Sequence, residues 1–229
     1  MNRSVTAGAF GQRVASPRVI ARAGDVGLAS IWTVLSVASI SKVFTGASEE
    51  PWLGTAHQAV SAIVLCVTAV LFIIRRPTKA RAEAWHAKLI AIAGSLIMPA
   101  VILMPLTWTP DWVLTACTAG LVLTHLVVFW SLLTLRRSFS IFPEARALIR
   151  SGPYALVRHP LYSTYTVMYL FFLLPRLSLL SVVAVVVGVG CEVWRARTEE
   201  RILRTTFPEY DAYAATTPRF VPRLRTVRT

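Results

Sequence analysis

The chain has 229 residues, of which 55% are hydrophobic and only 15% charged, with a mean hydropathy of +0.59 and a formal net charge of +13. A soluble globular domain carries about 25% charged residues, and the apolar residues here fall in long runs that lack a polar face, which argues against a soluble fold with a few buried helices. No zinc-finger spacing or RNA-binding signature accompanies the basic charge, so nucleic acid is not an expected partner.

In chain order, the apolar runs predict six membrane spans: Val26–Phe44, His57–Ile74, Leu89–Leu106, Trp112–Leu135, Leu161–Pro175 and Leu177–Val193. Pro175-Arg176 reads as a tight turn between the last two, which makes residues 161–193 a helical hairpin. Placing both termini in the cytoplasm puts every Lys and Arg except Lys42 and Arg176 on that side, while the outer loops carry Glu49, Glu50 and Asp111. This is the positive-inside pattern, and it ties the charge to topology and to anionic lipid headgroups. The first run starts near residue 26 with no convincing cleavage site after it, so a retained helix is expected.

The expected architecture is all-α: one multi-pass transmembrane bundle over residues 1–229. Residues 26–135 supply four N-terminal helices, and residues 136–225 hold the candidate chemistry. The connection Arg136–His159 reads "RRSFSIFPEARALIRSGPYALVRH". Pro143 is expected to open a short helix with Glu144 in its first turn and Gly152 just past its end. After the sixth span, an amphipathic surface helix is expected from about Glu199 to Ala215, kinked near Pro208.

Familiar soluble motifs are missing: no Walker A, no GxGxxG after a strand, no GxSxG and no HExxH occur. Gly188-Val189-Gly190 reads as small-residue helix packing. Cys66, Cys117 and Cys191 lie inside spans and read as apolar packing residues, and no metal-ligand spacing is present. What remains is a polar set at the ends of the hairpin: Tyr154, Arg158, His159, Tyr162, Arg195, Arg197, Glu199 and Glu200. It has no reactive nucleophile but many binding groups. Arginine clamps carboxylates and phosphates, glutamate accepts from hydroxyls or meets a cation, and tyrosine stacks on a flat base. Such a kit suits a zwitterionic small molecule at the membrane face. Within the spans, His125 reads as a neutral packing residue, and Glu192 as a group that pairs with an arginine or borders the pocket.

The stretch "SFSIFPEARALIRSGPYALVRHPLY", an apolar hairpin, and then "RARTEERILRTTFPEYDAYAATTPRFVP" resemble the isoprenylcysteine carboxyl methyltransferase family. The matching elements are Gly152/Tyr154, Arg158-His159-Pro160/Tyr162, Glu199-Glu200, Phe207, Tyr210/Tyr213 and Arg219/Pro222. The resemblance covers about residues 135–225. Two positions depart from it: Ser163-Thr164 follow the motif tyrosine, where the family often has glycine, and Pro175-Arg176 replaces an Asn-Pro turn.

The resemblance implies an integral membrane methyltransferase that uses S-adenosylmethionine in a cytosol-facing C-terminal pocket. It implies that Leu148, Ile149, Tyr154, His159, Tyr162 and Glu199, with Glu200 beside it, hold the cofactor. It places Arg195 or Arg197 against a substrate carboxylate. On chemical grounds, Arg158 or His159 can meet the cofactor carboxylate. A carboxylate acceptor is ionised at neutral pH and needs no base; a thiol or amine acceptor needs one, and His159 is the candidate. The expected acceptor is lipophilic and enters from the bilayer, an isoprenylcysteine carboxylate first. Relatives of the fold leave other readings open: a phospholipid or small-thiol methyltransferase, an NADPH-dependent sterol-type reductase, or a non-catalytic membrane scaffold.

Overall fold

The computed structural model describes residues 27, 29–38, 40, 41, 52–82 and 84–223. The described elements are α1 (Ala29–Ala38), α2 (Trp52–Ile74), β1 (Ala80–Arg81), α3 (Trp85–Ile102), α4 (Asp111–Leu135), β2 (Glu144–Ala145), α5 (Pro153–Leu156), α6 (Pro160–Leu173), α7 (Leu179–Thr206) and α8 (Tyr210–Thr216). Four helices are long and apolar enough to cross a membrane: α2, α3, α4 and α7. Their outward residues are apolar and exposed, among them Leu96, Leu123, Val183 and Val186. Hydrocarbon chains around the bundle satisfy such a surface and water does not.

Six spans were expected, and three of them stand differently. The first, Val26–Phe44, is described only in part, as the short α1. Lys42, Glu49, Glu50 and both termini lie outside the described residues. The fifth is α6, which has only 14 residues. At 1.5 Å per residue it reaches about 21 Å, short of a hydrocarbon core of about 30 Å. The sixth is longer than expected. α7 has 28 residues, about 42 Å of helix, and runs through Val193 without a break. The predicted surface helix from Glu199 is therefore the last part of α7 followed by α8. The sequence "RARTEERILRTT" holds no helix breaker; the break comes at Phe207, which is extended ahead of Pro208.

The expected hairpin is present. Leu174–Arg176 forms a single 3-10 turn, and Ser178 caps α7 reciprocally with Ser181. The turn is tied back to the bundle: Arg176 Nε donates to the Met104 carbonyl at 3.2 Å, and Thr107 N donates to the Pro175 carbonyl at 2.9 Å.

The loop before α5 departs from expectation. No helix follows Pro143. Instead Glu144–Ala145 pairs antiparallel with Ala80–Arg81, extended by Lys79 N to Ala145 O and Ala82 N to Pro143 O. The Glu144 carboxylate accepts from Ser140 and Arg146 and so does not serve a helix first turn. Gly152 precedes α5 rather than ending a helix. Its φ of +57° is one that residues with a side chain rarely adopt, and a Cβ there would lie 2.9 Å from Thr134 Oγ1.

The core is aromatic where α6 and α7 meet α3. Tyr169 of α6 is fully buried; its hydroxyl contacts the Gly94 carbonyl at 3.4 Å, and its ring fills the space left by Gly188. Gly188 is thus a packing glycine, as read from the sequence, whereas nothing lies within 4 Å of a Cβ built on Gly190.

That contrast gives a paired prediction. A Cβ on Gly188 would sit 2.7 Å from the Tyr169 ring, so Gly188→Ala should destabilise the protein by about 1–3 kcal/mol. Gly190→Ala should be neutral or stabilising by up to about 1 kcal/mol, through helix propensity alone. Thermal unfolding of the two variants in the same detergent checks both.

Candidate active site

A cavity of about 540 Å³ opens among α1, α2, α3, α4, α6 and α7 and the loop that leads to α5. Part of its wall is apolar and belongs to the bundle, with Trp32, Val64, Met98, Ile102, Val128 and Met168. The rest lies at the basic end and includes Leu148, Ile149, Tyr154, Arg158, His159, Tyr162, Glu199 and Tyr210. One space therefore joins the greasy interior of the bundle to the polar cluster.

The hairpin brings the cluster together. Pro160 starts α6 directly after His159, which fixes the N-terminus of that helix. Glu199 and Glu200 stand on the far half of α7, which returns past the same point. Tyr162 Oη donates to Glu199 Oε2 at 3.1 Å, and His159 Nδ1 lies 3.9 Å from the same oxygen. The His159 ring is wedged between Tyr162, stacked at 5.4 Å, and Phe220 at 6.0 Å.

The two glutamates have different surroundings. The Glu199 side chain is 29% exposed and lines the cavity, whereas that of Glu200 is 3% exposed and does not. Glu200 accepts from Arg158 Nε at 3.0 Å, from His159 Nε2 at 3.2 Å, and from Arg219 Nε and Nη2 at 2.9 and 2.6 Å. Its predicted place at the cofactor is thereby corrected: its oxygens are occupied, and it anchors the C-terminal segment. That segment is also held by its backbone. Pro218 and Arg219 carbonyls accept from the amides of Arg158 and His159 at 2.8 and 3.1 Å, and Ser163 Oγ donates to the Phe220 carbonyl at 2.8 Å. The hydrogen bonds that Arg219 donates to Glu200 hold its guanidinium pKa above the ordinary value.

Arg158 borders the cavity, but its guanidinium is spent on Glu200 and on the Ala214 and Thr217 carbonyls. Arg197 is exposed and lies off the cavity wall. It points to solvent because Arg195, two residues earlier, takes the inward face of α7. Arg195 is buried. Its Nη1 is within 3.2 Å of both Glu192 oxygens, its Nη2 donates to the Ile141 carbonyl at 2.5 Å, and the guanidinium lies 5.0 Å over the Tyr162 ring. The Glu192–arginine pairing considered from the sequence is present.

Two cavity residues were not singled out beforehand. Arg146 is buried, paired with Glu144 at 2.6 Å, and also donates to the Arg76 carbonyl. Tyr165 lines the wall one turn beyond Tyr162. Arg146 lies inside the first stretch quoted above, two residues before Leu148, and its basic side chain in that loop was the available signal; Tyr165 lies three residues beyond the end of that stretch.

The phenols near the mouth are donors. Burial, with Glu199 nearby, pushes the Tyr154 pKa well above its ordinary value, and burial pushes that of Tyr213 up to about 12. Tyr213 Oη donates to the Tyr154 carbonyl at 2.6 Å, locking α8 onto α5. Three buried polar atoms on cavity-lining residues have no hydrogen-bond partner among the described residues: Arg146 Nε, Arg195 Nε and Tyr210 Oη. Buried polar groups are normally satisfied, so the wall is prepared for a polar ligand. A donor-rich and carboxylate-bearing wall fits the carboxylate, hydroxyls and cation of a nucleoside-bearing sulfonium cofactor.

Residues 112–210 match the family model described as phospholipid methyltransferase. The matched segment runs from the start of α4 to the start of α8 and contains the loop, the hairpin and the paired glutamates. The match takes in α4 and α7, two of the four helices long and apolar enough to cross a membrane. Two curated relatives are similar to the chain. The cobalt-zinc-cadmium resistance protein CzcN of Cupriavidus metallidurans is 34% identical over 53% of this chain and 55% of its own length. The nickel-cobalt-cadmium resistance protein NccN of Alcaligenes xylosoxydans xylosoxydans is 27% identical over 60% of this chain and 64% of its own length. The chain thus spans less than two thirds of these relatives.

Removing the Glu200 carboxylate leaves Arg158 and Arg219 without their counter-charge. Breaking one side of a buried ion pair costs about 3–5 kcal/mol. Glu200→Ala should therefore release residues 214–223, seen as loss of amide hydrogen-exchange protection and as new proteolytic cleavage there. Glu199→Gln should leave that protection intact.

Proposed function

We propose that the protein is an integral membrane, S-adenosylmethionine-dependent methyltransferase, with its site on the cytoplasmic face and a lipophilic methyl acceptor that enters from the bilayer. The observation that carries this reading is the single cavity with an apolar wall in the bundle and a polar wall at the hairpin ends. An amphiphile can rest its tail in one part and present its head in the other.

When bound, the cofactor supplies a methyl group on a positively charged sulfur. Leu148 and Ile149 are placed to hold its base, Tyr154 and Tyr162 to wall it, and Glu199 to accept from its ribose hydroxyls or face its cation. His159 is fixed by Glu200 and borders the same space. Arg195 faces the acceptor. The chain's own contribution is positioning and exclusion of water, which together supply much of the rate in such a transfer.

The first acceptor is a carboxylate on a lipid-like group, such as an isoprenylcysteine, held by Arg195. A specific observation favours a second reading. Arg146, Arg158 and Arg195 are each already paired with a carboxylate, while among the described residues Glu199 meets a phenol and a histidine ring at 3.9 Å. Glu199 is thus a carboxylate on the wall with no arginine in ion-pair contact among the described residues. That balance suits an amine or thiol acceptor, such as a phospholipid amine, with His159 as the group that takes the proton.

Calorimetric titration with S-adenosylhomocysteine in detergent tests the cofactor. Micromolar binding is expected, weakened at least tenfold (about 1.4 kcal/mol) in Glu199→Ala and unchanged in Arg197→Ala. No binding by folded protein overturns the reading, and titration with NADPH then tests the reductase. Glu192→Gln separates the acceptors. By freeing Arg195 it should lower KM for a carboxylate acceptor and raise it for an amine.

A further inference from the structure

A second polar cluster lies within the bundle, apart from Glu199 and Glu200. On α2, His57 and Gln58 stand four and three residues before Ser61, so the three share one face. That face meets His125 of α4, and the two imidazole planes are inclined at 73° with ring centres 5.1 Å apart.

The hydrogen bonds of this cluster do not close on themselves. His125 Nδ1 lies 2.7 Å from the Leu121 carbonyl oxygen. A carbonyl only accepts, so Nδ1 carries the proton and Nε2 of the neutral ring is a lone pair. Ser61 Oγ is 3.2 Å from that Nε2, but it is also 2.7 Å from the His57 carbonyl oxygen. Serine has one hydrogen to give, and the shorter contact takes it. His125 Nε2 is left facing another oxygen lone pair. His57 Nε2 and Gln58 Oε1 are likewise buried without a hydrogen-bond partner among the described residues. With the His57 proton on Nδ1, both imidazoles and Gln58 Oε1 present buried lone pairs that no donor meets, and such pairs call for a positive partner.

The geometry says which kind. A histidine whose Nδ1–H is held by a backbone carbonyl has its ring fixed and its Nε2 presented, the usual state of a metal-ligating imidazole. Two imidazoles bound to one tetrahedral ion through nitrogens about 2.0–2.1 Å from it have ring centres about 5 Å apart, which is the spacing here. We propose that His57 and His125 bind one divalent transition-metal ion of the zinc type, with Gln58 Oε1 as a further oxygen donor. No third His, Cys, Asp or Glu joins them among the described residues, so the ion is exchangeable rather than locked in a closed structural site. It cross-links α2 to α4 beside the cavity that His125 lines. No local pattern reveals the pair, because one ligand stands 68 positions beyond the other and only the packing of α2 on α4 brings them together.

The test uses full-length protein in detergent, without a histidine tag, and does not depend on methyl transfer. The chain has four histidines, so each can be changed in turn. Zinc titration should give one equivalent, and zinc should raise the melting temperature in the manner of a native-state ligand. Cobalt(II) in place of zinc should give a visible absorption band. His57→Gln and His125→Gln, which keep a polar side chain of similar reach, should each weaken zinc binding at least tenfold and lose both the band and the thermal shift. His86→Gln and His159→Gln should keep them. Folding of each variant is read from its zinc-free melting curve. No zinc bound by folded protein, or zinc lost only on changing His86 or His159, overturns the proposal.

Discussion

One buried carboxylate organises the basic end of the molecule. Glu200 draws Arg158 and His159 from the start of α6 and Arg219 from the C-terminal segment to a single point on α7. Arg158, His159 and Glu200 can be buried only because they meet there, and Arg219 closes the cluster from its half-exposed side. The contact sets where α6 begins, how the segment after α8 crosses it, and how His159 is oriented. Glu199, one residue away on the helix, stays half-buried and lines the cavity. Adjacent side chains on α7 are thus divided between holding the wall and facing its interior.

The hairpin makes that division possible. Tyr169 packs into the space at Gly188 and fixes how far α6 slides along α7. With that register set, His159 and Tyr162 fall level with Glu199 and Glu200. A slip of one helical turn would separate Tyr162 from Glu199 and Arg158 from Glu200 together. Apolar packing within the bundle and ionic pairing at its end therefore select the same alignment, which is the agreement between levels expected of a well-specified fold.

The broad architecture was legible because its signals are local. Apolar runs gave α2, α3, α4 and α7, and Pro175-Arg176 gave the turn. The cluster itself was legible too, since Tyr154, His159, Tyr162, Arg195 and Glu199 were chosen from the sequence and all line one cavity. What the residues could not show was which charges would neutralise which. Glu199 and Glu200 are chemically identical neighbours, and only the tertiary positions of Arg158, His159 and Arg219 separate their surroundings. Arg195 and Arg197 differ by which face of α7 they occupy. The Glu144–Ala145 strand was missed because its partner, Ala80–Arg81, lies more than sixty residues away, beyond any local pattern. The extent of α7 was missed for the opposite reason: the membrane signal stops near Val193 while the helical signal does not.

Under the proposed function, that overhang sets the depth at which an amphiphilic acceptor would meet the polar wall. A helix of about 42 Å in a hydrocarbon layer of about 30 Å carries its last turns to the level of the lipid headgroups, and Glu199 stands on them. A long-chain lipid brought into water loses about 0.8 kcal/mol for each methylene exposed, a cost that grows prohibitive over a whole tail. Where the polar wall stands at headgroup height and the apolar wall continues below it, no part of the tail need leave the bilayer. Encounter then becomes a sideways search in two dimensions, governed by the abundance of the lipid in its leaflet rather than by its solubility in water.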